Sequence, residues 1–319
     1  MRWPFQRSAG SILSIAVLLV GCLIPLFPFI NRYILDVVML MLIFILYASA
    51  WNFLTHSGQG SLGHAAFFGL GGYASSLFVL KTGMPVLPAI FIGGAFAAFI
   101  GSLIGLTCVR LKEWFLAMVT FGFAIIIQTI TVSQLAPITG GWDGYAAPRL
   151  VATSVAGSHI YEYYIIFFLT IFFLIVIRYL LKSPIGLALS AIRENELEAR
   201  ASGVNPVRFK LLAFIISAYI AGIAGALEIH HFGYITPEIF GLDLSFWPII
   251  YSITGGLGRL GGPIVGTIVV TVLWDGLNAI GFTYERFIVI GVMLVVIIIF
   301  LPKGLISFLD RIGDMEKRH

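Results

Sequence analysis

Val86-Leu-Pro-Ala-Ile-Phe-Ile-Gly-Gly-Ala-Phe-Ala-Ala-Phe-Ile-Gly-Ser-Leu-Ile-Gly-Leu-Thr-Cys108 carries no charged side chain, and Arg110 and Lys112 follow it directly. A hydrocarbon layer about 30 Å thick is crossed by about 20 helical residues rising about 1.5 Å each, so this stretch is long enough to span one. The pattern recurs along the chain. Apolar runs of similar length cover 11–30, 33–54, 63–80, 114–136, 161–181, 207–232 and 284–301. Of the 319 residues, 59% are hydrophobic and only 11% charged, and mean hydropathy is +1.02. A soluble domain is about 45–50% apolar and about 25% charged. So few charges cannot cover the surface of a water-soluble enzyme, and so much apolar surface excludes a disordered chain. The 35 glycines follow no three-residue period, which excludes collagen. The predicted fold class is an all-α integral membrane protein. It is a polytopic helical bundle of about 8–10 transmembrane helices, including broken or re-entrant segments, in one domain over 1–319. Cys22 and Cys108 sit in apolar runs and carry no redox signal.

Basic residues collect on the cytoplasmic side of membrane proteins, and the net charge of +4 is read in that light. The run 11–30 follows Arg2 and Arg7 and has no small-residue cleavage site after it, so it is read as a retained span. With the N-terminus inside and one crossing per run, Arg110, Lys112, Arg178, Lys182, Arg193, Arg200, Arg208 and Lys210 all fall inside. Lys303, Arg311, Lys317 and Arg318 join them if the C-terminus is cytoplasmic too. Arg32, Lys81, Arg149 and Arg286 fall outside. This orientation puts 233–243 and 276–283 on the outer side, so 244–275 must leave and return. Its length reaches about 48 Å as helix, whereas two full spans need about 60 Å. The prediction is two short helices or a re-entrant hairpin, broken at Gly255-Gly-Leu-Gly-Arg-Leu-Gly-Gly-Pro263. Broken backbone at membrane depth persists only when buried in protein or lining a wet cavity.

Three stretches carry polar chemistry. In Ser57-Gly-Gln-Gly-Ser-Leu-Gly-His-Ala-Ala-Phe-Phe-Gly-Leu-Gly-Gly-Tyr73, the small residues Ser61, Ala65, Gly69, Gly72 and Ser76 fall on one helical stripe, which allows close helix approach. Gln59 and His64 are polar groups at membrane depth. His64 either satisfies a neighbouring carbonyl in a packed bundle or lines the pathway. The second stretch is 183–206. Ser183 caps a helix with Pro184 at its first position, Gly203 suits the left-handed turn after it, and Asn205-Pro206 starts the next helix. Arg193, Glu196 and Arg200 have pairing spacing, and Ile185, Leu189 and Ile192 form an apolar stripe. An ordinary solvated loop is the plain alternative to a docking surface for a cytosolic partner. The third is the outer loop 137–160, with Thr139-Gly-Gly-Trp-Asp-Gly144. There Asp143 either caps a turn or belongs to a gate or external contact. None of the six lysines follows the P-loop pattern, and no His/Cys/carboxylate set has metal-ligand spacing, so no nucleotide, metal or other cofactor is expected. Glu228 with His230-His231 is the nearest approach and reads as an interfacial polar rim.

Gly58-Gln-Gly-Ser-Leu-Gly-His-Ala-Ala-Phe67, Thr139–Gly144, Ser190-Ala-Ile-Arg-Glu-Asn-Glu-Leu-Glu-Ala199 with Lys210-Leu-Leu-Ala-Phe214, and Gly255–Gly266 together resemble the LivM-type permeases of branched-chain amino-acid ABC importers. The resemblance covers about 35–305. It implies a permease subunit that is not itself an enzyme and binds no cofactor, with ATP bound by partner subunits. The implied partners are a second, LivH-type permease, two cytosolic ATP-binding subunits, a periplasmic solute-binding protein and the lipid bilayer, with no nucleic acid. It implies a multi-pass location in the bacterial inner membrane, both termini cytoplasmic. Gln59, Ser61, Gly63 and His64 become the candidate translocation pathway. Arg193, Glu194, Asn195 and Glu196 become the ATPase-coupling residues, and Thr139, Gly140, Gly141 and Asp143 the periplasmic loop. Relatives also carry urea, short amides and aromatic acids. The chain departs from the family pattern at Glu113, Trp247 and Pro248, which bear on the solute. An ion-coupled secondary transporter would want acidic residues in mid-span, and Asp36, Glu228 and Asp275 read as near span ends.

Overall fold

The computed structural model describes residues 21–27, 31–111, 113–152 and 154–307. Most of the first predicted span lies outside these residues, as do Arg2, Arg7, Lys112, Arg311, Lys317 and Arg318. Helix α1 is Arg32–Thr55, α2 His64–Thr82, α3 Val86–Cys108, α4 Glu113–Val132 and α5 Ser158–Lys182. Two short helices, α6 Pro184–Glu194 and α7 Glu196–Ala201, lead into α8 Pro206–Phe232. Helices α9 Leu242–Gly255, α10 Gly262–Ala279 and α11 Glu285–Phe300 follow. One two-residue antiparallel ladder joins β1 Tyr145–Ala146 to β2 Tyr234–Ile235.

The chain is an all-α, multi-pass membrane protein. Among the described residues, six helices are long and apolar enough to cross a membrane: α1, α3, α4 from Trp114, α5, α8 and α10. Helix α2, of 19 residues, runs through the middle of the bundle, whereas α9 and α11 have 14 and 16 residues. Arg110, Lys182, Arg208 and Lys210 gather at one end of the bundle, called here the basic end. Lys81 and Arg149 lie toward the far end, as the charge asymmetry predicts.

Glycine sets how closely the central helices approach. Helices α2, α3 and α8 pack face to face. A Cβ at Gly222 of α8 would lie 2.6 Å from the Ala97 Cβ and 3.1 Å from the Gly94 Cα, both in α3. One at Gly72 of α2 would lie 2.8 Å from Ile229 and 3.3 Å from the Gly225 carbonyl oxygen. Small residues allow this contact, and in lipid such packing replaces the hydrophobic drive between helices. Ser61 falls in the loop before α2, so the predicted small-residue stripe starts at Ala65, and its members divide their work. Gly72 meets α8, Gly69 lies under the Phe240 ring, and the Ser76 hydroxyl bonds the Gly72 carbonyl at 2.8 Å.

The glycine-broken region forms the expected hairpin, with α9 and α10 packed together, but only α9 is short: α10, of 18 residues, is long enough to cross a membrane. The backbones touch where Gly255, Gly262 and Gly266 face one another, leaving no room for a Cβ. The segment before α9 departs from expectation. Gly233–Ile235 stays at the far end, with Tyr234–Ile235 paired with β1 and the Gly233 carbonyl accepting from Ala147 N at 3.0 Å. Pro237–Phe240 then dips inward as a 3-10 turn, with Phe240 stacked on Tyr73 at 5.5 Å. The Leu244 carbonyl accepts from the Tyr47 hydroxyl at 3.2 Å, and the Ser245 hydroxyl accepts from Ala65 N at 3.3 Å. Tyr47 is more than halfway along α1, so α9 starts near mid-depth and covers only the half of the bundle nearer the basic end. The Gln128 side chain donates to the Pro237 carbonyl at 3.0 Å, meeting a backbone acceptor that the dip exposes.

Candidate functional site

The loop between α1 and α2 is wedged into the bundle. Gly58 adopts a left-handed conformation with φ +75°, turning the chain back beside α1. Trp51 Nε1 donates to the Ser61 carbonyl at 2.8 Å. The Leu62 N–H donates to Thr120 Oγ1 at 3.2 Å, tying the loop to α4. A Cβ at Gly63 would overlap the Thr120 carbonyl, so only glycine fits there. Gln59, Ser61, Gly63 and His64 are thus brought together, all buried. The Ser57 hydroxyl lies 3.1 Å from Gln59 Oε1 and 2.7 Å from the Leu54 carbonyl, while Gln59 Nε2 is buried without a partner.

His64 begins α2 and reaches across to α8. The Ser217 hydroxyl donates its single proton to the Ala50 carbonyl at 2.6 Å. The 3.1 Å contact between His64 Nε2 and Ser217 Oγ therefore has the imidazole as donor. That leaves Nδ1 as an unprotonated acceptor, and it is buried with no partner. His64 also stacks on Tyr47 at 5.7 Å. The histidine thus joins α1, α2 and α8 at the level where α9 begins.

The segment 183–206 forms a corner at the basic end. Ser183 caps α6 by accepting from Ile185 N at 3.2 Å. The helix then breaks at Asn195, which sequence spacing did not anticipate. Asn195 is extended (φ −155°), and its side chain accepts from Leu197 N at 3.0 Å and Glu198 N at 3.3 Å, starting α7. The break undoes the expected Arg193–Glu196 pair. Glu196 instead binds Lys210 Nζ at 2.6 Å and Arg200 at 3.3 Å. Leu189 and Ile192 are buried, as the apolar stripe requires, whereas Leu187 and Leu197 are 71% and 76% exposed. Arg193, Glu194 and Asn195 are exposed. A cleft of about 640 Å³ runs between this corner and the end of α3, lined by Arg110, Glu196, Arg200 and Asn205.

At the far end, Thr139 is buried and donates to the Thr131 carbonyl at 2.7 Å. Gly140 and Gly141 take positive φ of +74° and +60°, and the Asp143 carbonyl accepts from the Tyr234 hydroxyl. The Thr139–Gly144 motif thus anchors the loop 137–160 to β2. Sequence reasoning missed the pairing of His231 with Glu162 at 2.9 Å, both buried. It also missed His230, which bonds Ser75 at 2.8 Å and the Pro148 carbonyl. Two adjacent histidines at a span end, with an acid early in another span, were the available signal. A cavity of about 290 Å³ opens above the start of α9, lined by Glu228, Tyr234, Glu238, Asp243 and Trp247. Among the described residues, no group of three His, Cys, Asp or Glu side chains could hold a metal.

Comparison with known proteins adds a further finding. The family model described as the permease component of branched-chain amino acid transport systems matches residues 33–298. The chain is 29% identical over 305 residues to the high-affinity branched-chain amino acid transport system permease protein LivM of Escherichia coli, covering 88% of this chain and 71% of that protein. It is 28% identical over 329 residues to LivM of Salmonella typhimurium, covering 95% and 72%. It is also 28% identical over 170 residues to the LivH permease of Salmonella typhimurium, covering 53% and 52%. No solved structure gives a significant match.

Proposed function

Because the chain belongs to the family of branched-chain amino acid transport permease components, we propose that it is one of two permeases in an ATP-driven importer of branched-chain amino acids. It works with a LivH-type permease, two cytosolic ATP-binding subunits that hydrolyse ATP, and a periplasmic binding protein. It sits in the bacterial inner membrane with its termini and basic end in the cytoplasm. It performs no chemistry on its solute and needs no cofactor of its own.

The observation that carries this reading is the corner 183–206. Its two capped helices put exposed leucines, Leu187 and Leu197, beside Arg193, Glu194, Asn195 and Glu196 at the basic end. Exposed apolar side chains ringed by charge mark a protein contact in a region outside lipid. The ATP-binding subunits dock there. Gln59, Ser61, Gly63 and His64 form the pathway or its walls, beside the break where α9 begins at mid-depth. Thr139, Gly140, Gly141 and Asp143 hold the outer loop, where the binding protein delivers solute. Co-purification tests the docking. The chain expressed with its partner subunits retains a soluble P-loop ATPase, and leucine uptake requires it. Uptake of urea, a short amide or an aromatic acid in place of leucine would keep the mechanism and change the solute. Uptake that persists without any ATPase would replace the reading with an ion-coupled transporter, for which Glu228, Glu238 and Asp243 line the outer cavity.

A further inference from the structure

The glycine loop 256–261 is held at the basic end by three different parts of the chain. Asn52, in the last turn of α1, clamps it with both side-chain atoms. Oδ1 accepts from Gly258 N at 2.9 Å, and Nδ2 donates to the Arg259 carbonyl at 3.0 Å. His56 Nδ1 lies 2.9 Å from the Asn52 carbonyl, closing the same corner. On a second side, a Cβ at Gly256 would lie 2.9 Å from both Ile306 Cγ2 and the Lys303 carbonyl oxygen. The third contact comes from α6. Gly258 has φ +71° and no side chain, and the Arg193 guanidinium lies over its Cα. A Cβ there would overlap Nη1 and sit 3.0 Å from Cζ and 3.1 Å from Nη2.

Arg193 belongs to the last turn of α6, whose Leu189 and Ile192 are buried. Its expected partner Glu196 is already held by Lys210 and Arg200. The arginine is therefore turned toward the hairpin, although its flank remains exposed. Beyond the loop, α9 and α10 touch backbone to backbone through glycines, so the loop cannot shift without moving both helices. Helix α9 starts beside Tyr47 and Ala65, next to His64. A chain of rigid contacts thus runs from the exposed corner to the mid-depth break. Coupling between distant sites travels through packed elements of this kind.

We infer that Arg193 is a positioning residue that links the coupling corner to the α9–α10 hairpin, with Asn52 as the anchor on which the hairpin turns. This rests on the reading that the corner docks the ATP-binding subunits. Displacement of α6 by an ATP-binding subunit pushes Gly258 through the guanidinium, and the hairpin carries the motion to the start of α9.

The test uses the assembled importer in proteoliposomes, measuring leucine uptake and ATP hydrolysis on the same sample. Among complexes that retain the ATPase, Arg193→Ala lowers uptake per ATP hydrolysed at least about fivefold, the lower end of measured site-to-site coupling. Arg193→Lys keeps the charge and stem but lacks the guanidinium that packs against Gly258, and it shows a smaller fall in the same ratio. This second variant decides the matter if Arg193→Ala does not assemble. An unchanged uptake-to-hydrolysis ratio in the variants overturns the link while leaving the docking reading intact. Loss of the ATPase from the Arg193→Lys complex as well makes Arg193 a docking residue only and overturns the link. A wild-type complex that retains no ATPase removes the docking reading, and this inference with it.

Discussion

Gly222→Ala tests the packing that positions His64 and its partner. Gly222 lies on α8 five residues from Ser217, where α8 crosses α3. The new Cβ would stand 2.6 Å from the Ala97 Cβ, against the 3.4 Å at which ordinary contact begins. Neither methyl carbon can rotate away, and the Gly94 Cα, one turn along the same helix, stands 3.1 Å off. The two helices must therefore part by about 0.8 Å locally, taking apart contacts that hold only at close range. Overpacking of this kind costs about 1–3 kcal/mol. Alanine's better helix propensity returns at most about 1 kcal/mol. The expected result is a lower thermal midpoint in detergent, compared at one scan rate, and less complex assembled at equal expression. Gly122→Ala is the control. Nothing lies within 4 Å of its Cβ, so it leaves the midpoint unchanged or slightly raised. A Gly222→Ala protein as stable as wild type would refute the close α3–α8 crossing.

Four further outcomes are expected. Gln59→Ala removes a buried amide nitrogen that has no partner, so stability holds within about 1 kcal/mol, while uptake per assembled complex falls; unchanged uptake takes Gln59 out of the pathway. Asn195→Ala loses the acceptor for two N–H groups and costs about 0.5–2 kcal/mol, with weaker ATPase retention in a pull-down. Glu194→Lys leaves the protein inserted but weakens ATPase association at a partly dry charged surface, and undiminished pull-down with normal uptake would contradict docking there. His56 sits beyond the end of α1. Burial first, and then the Arg193 charge, hold its imidazole below the ordinary value, against raising contacts with the Asn52 and Gly258 carbonyls. The neutral form is therefore the folded one. Its contribution is complete above the unfolded value of about 6.5 and is lost as pH falls from there toward the lower folded value. Thermal midpoints measured across that window decline on acidification, and His56→Gln flattens the decline.

Most of the span positions were legible because their signal is length and uniform apolarity, which local sequence carries in full. The broken hairpin was legible too, since 244–275 is too short for two full spans and its glycine run cannot stay helical. The inward dip of Pro237–Phe240 was not. Glu238 and Asp243 make the segment look solvated, and only the ring stacking on Tyr73 and the cover from Gln128 show it inside. The Asn195 break was hidden because Arg193, Glu196 and Arg200 have good helical spacing, and the competing cap is a local choice that spacing does not reveal. Asn52 passed unremarked inside an apolar run, although a lone amide in a span is itself a signal of a partner. The four pathway candidates and the corner residues each came together in space. What joins the two groups, from Arg193 through Gly258 to the start of α9, rests on contacts between residues more than sixty positions apart.

The most direct test of the central claim is leucine accumulation in proteoliposomes holding both permeases and the ATP-binding subunits, with binding protein outside and ATP inside. Uptake against a gradient that starts with ATP, stops when hydrolysis is blocked and needs this chain is the expected result. Accumulation driven by a proton or sodium gradient, with the ATP-binding subunits left out, would contradict it.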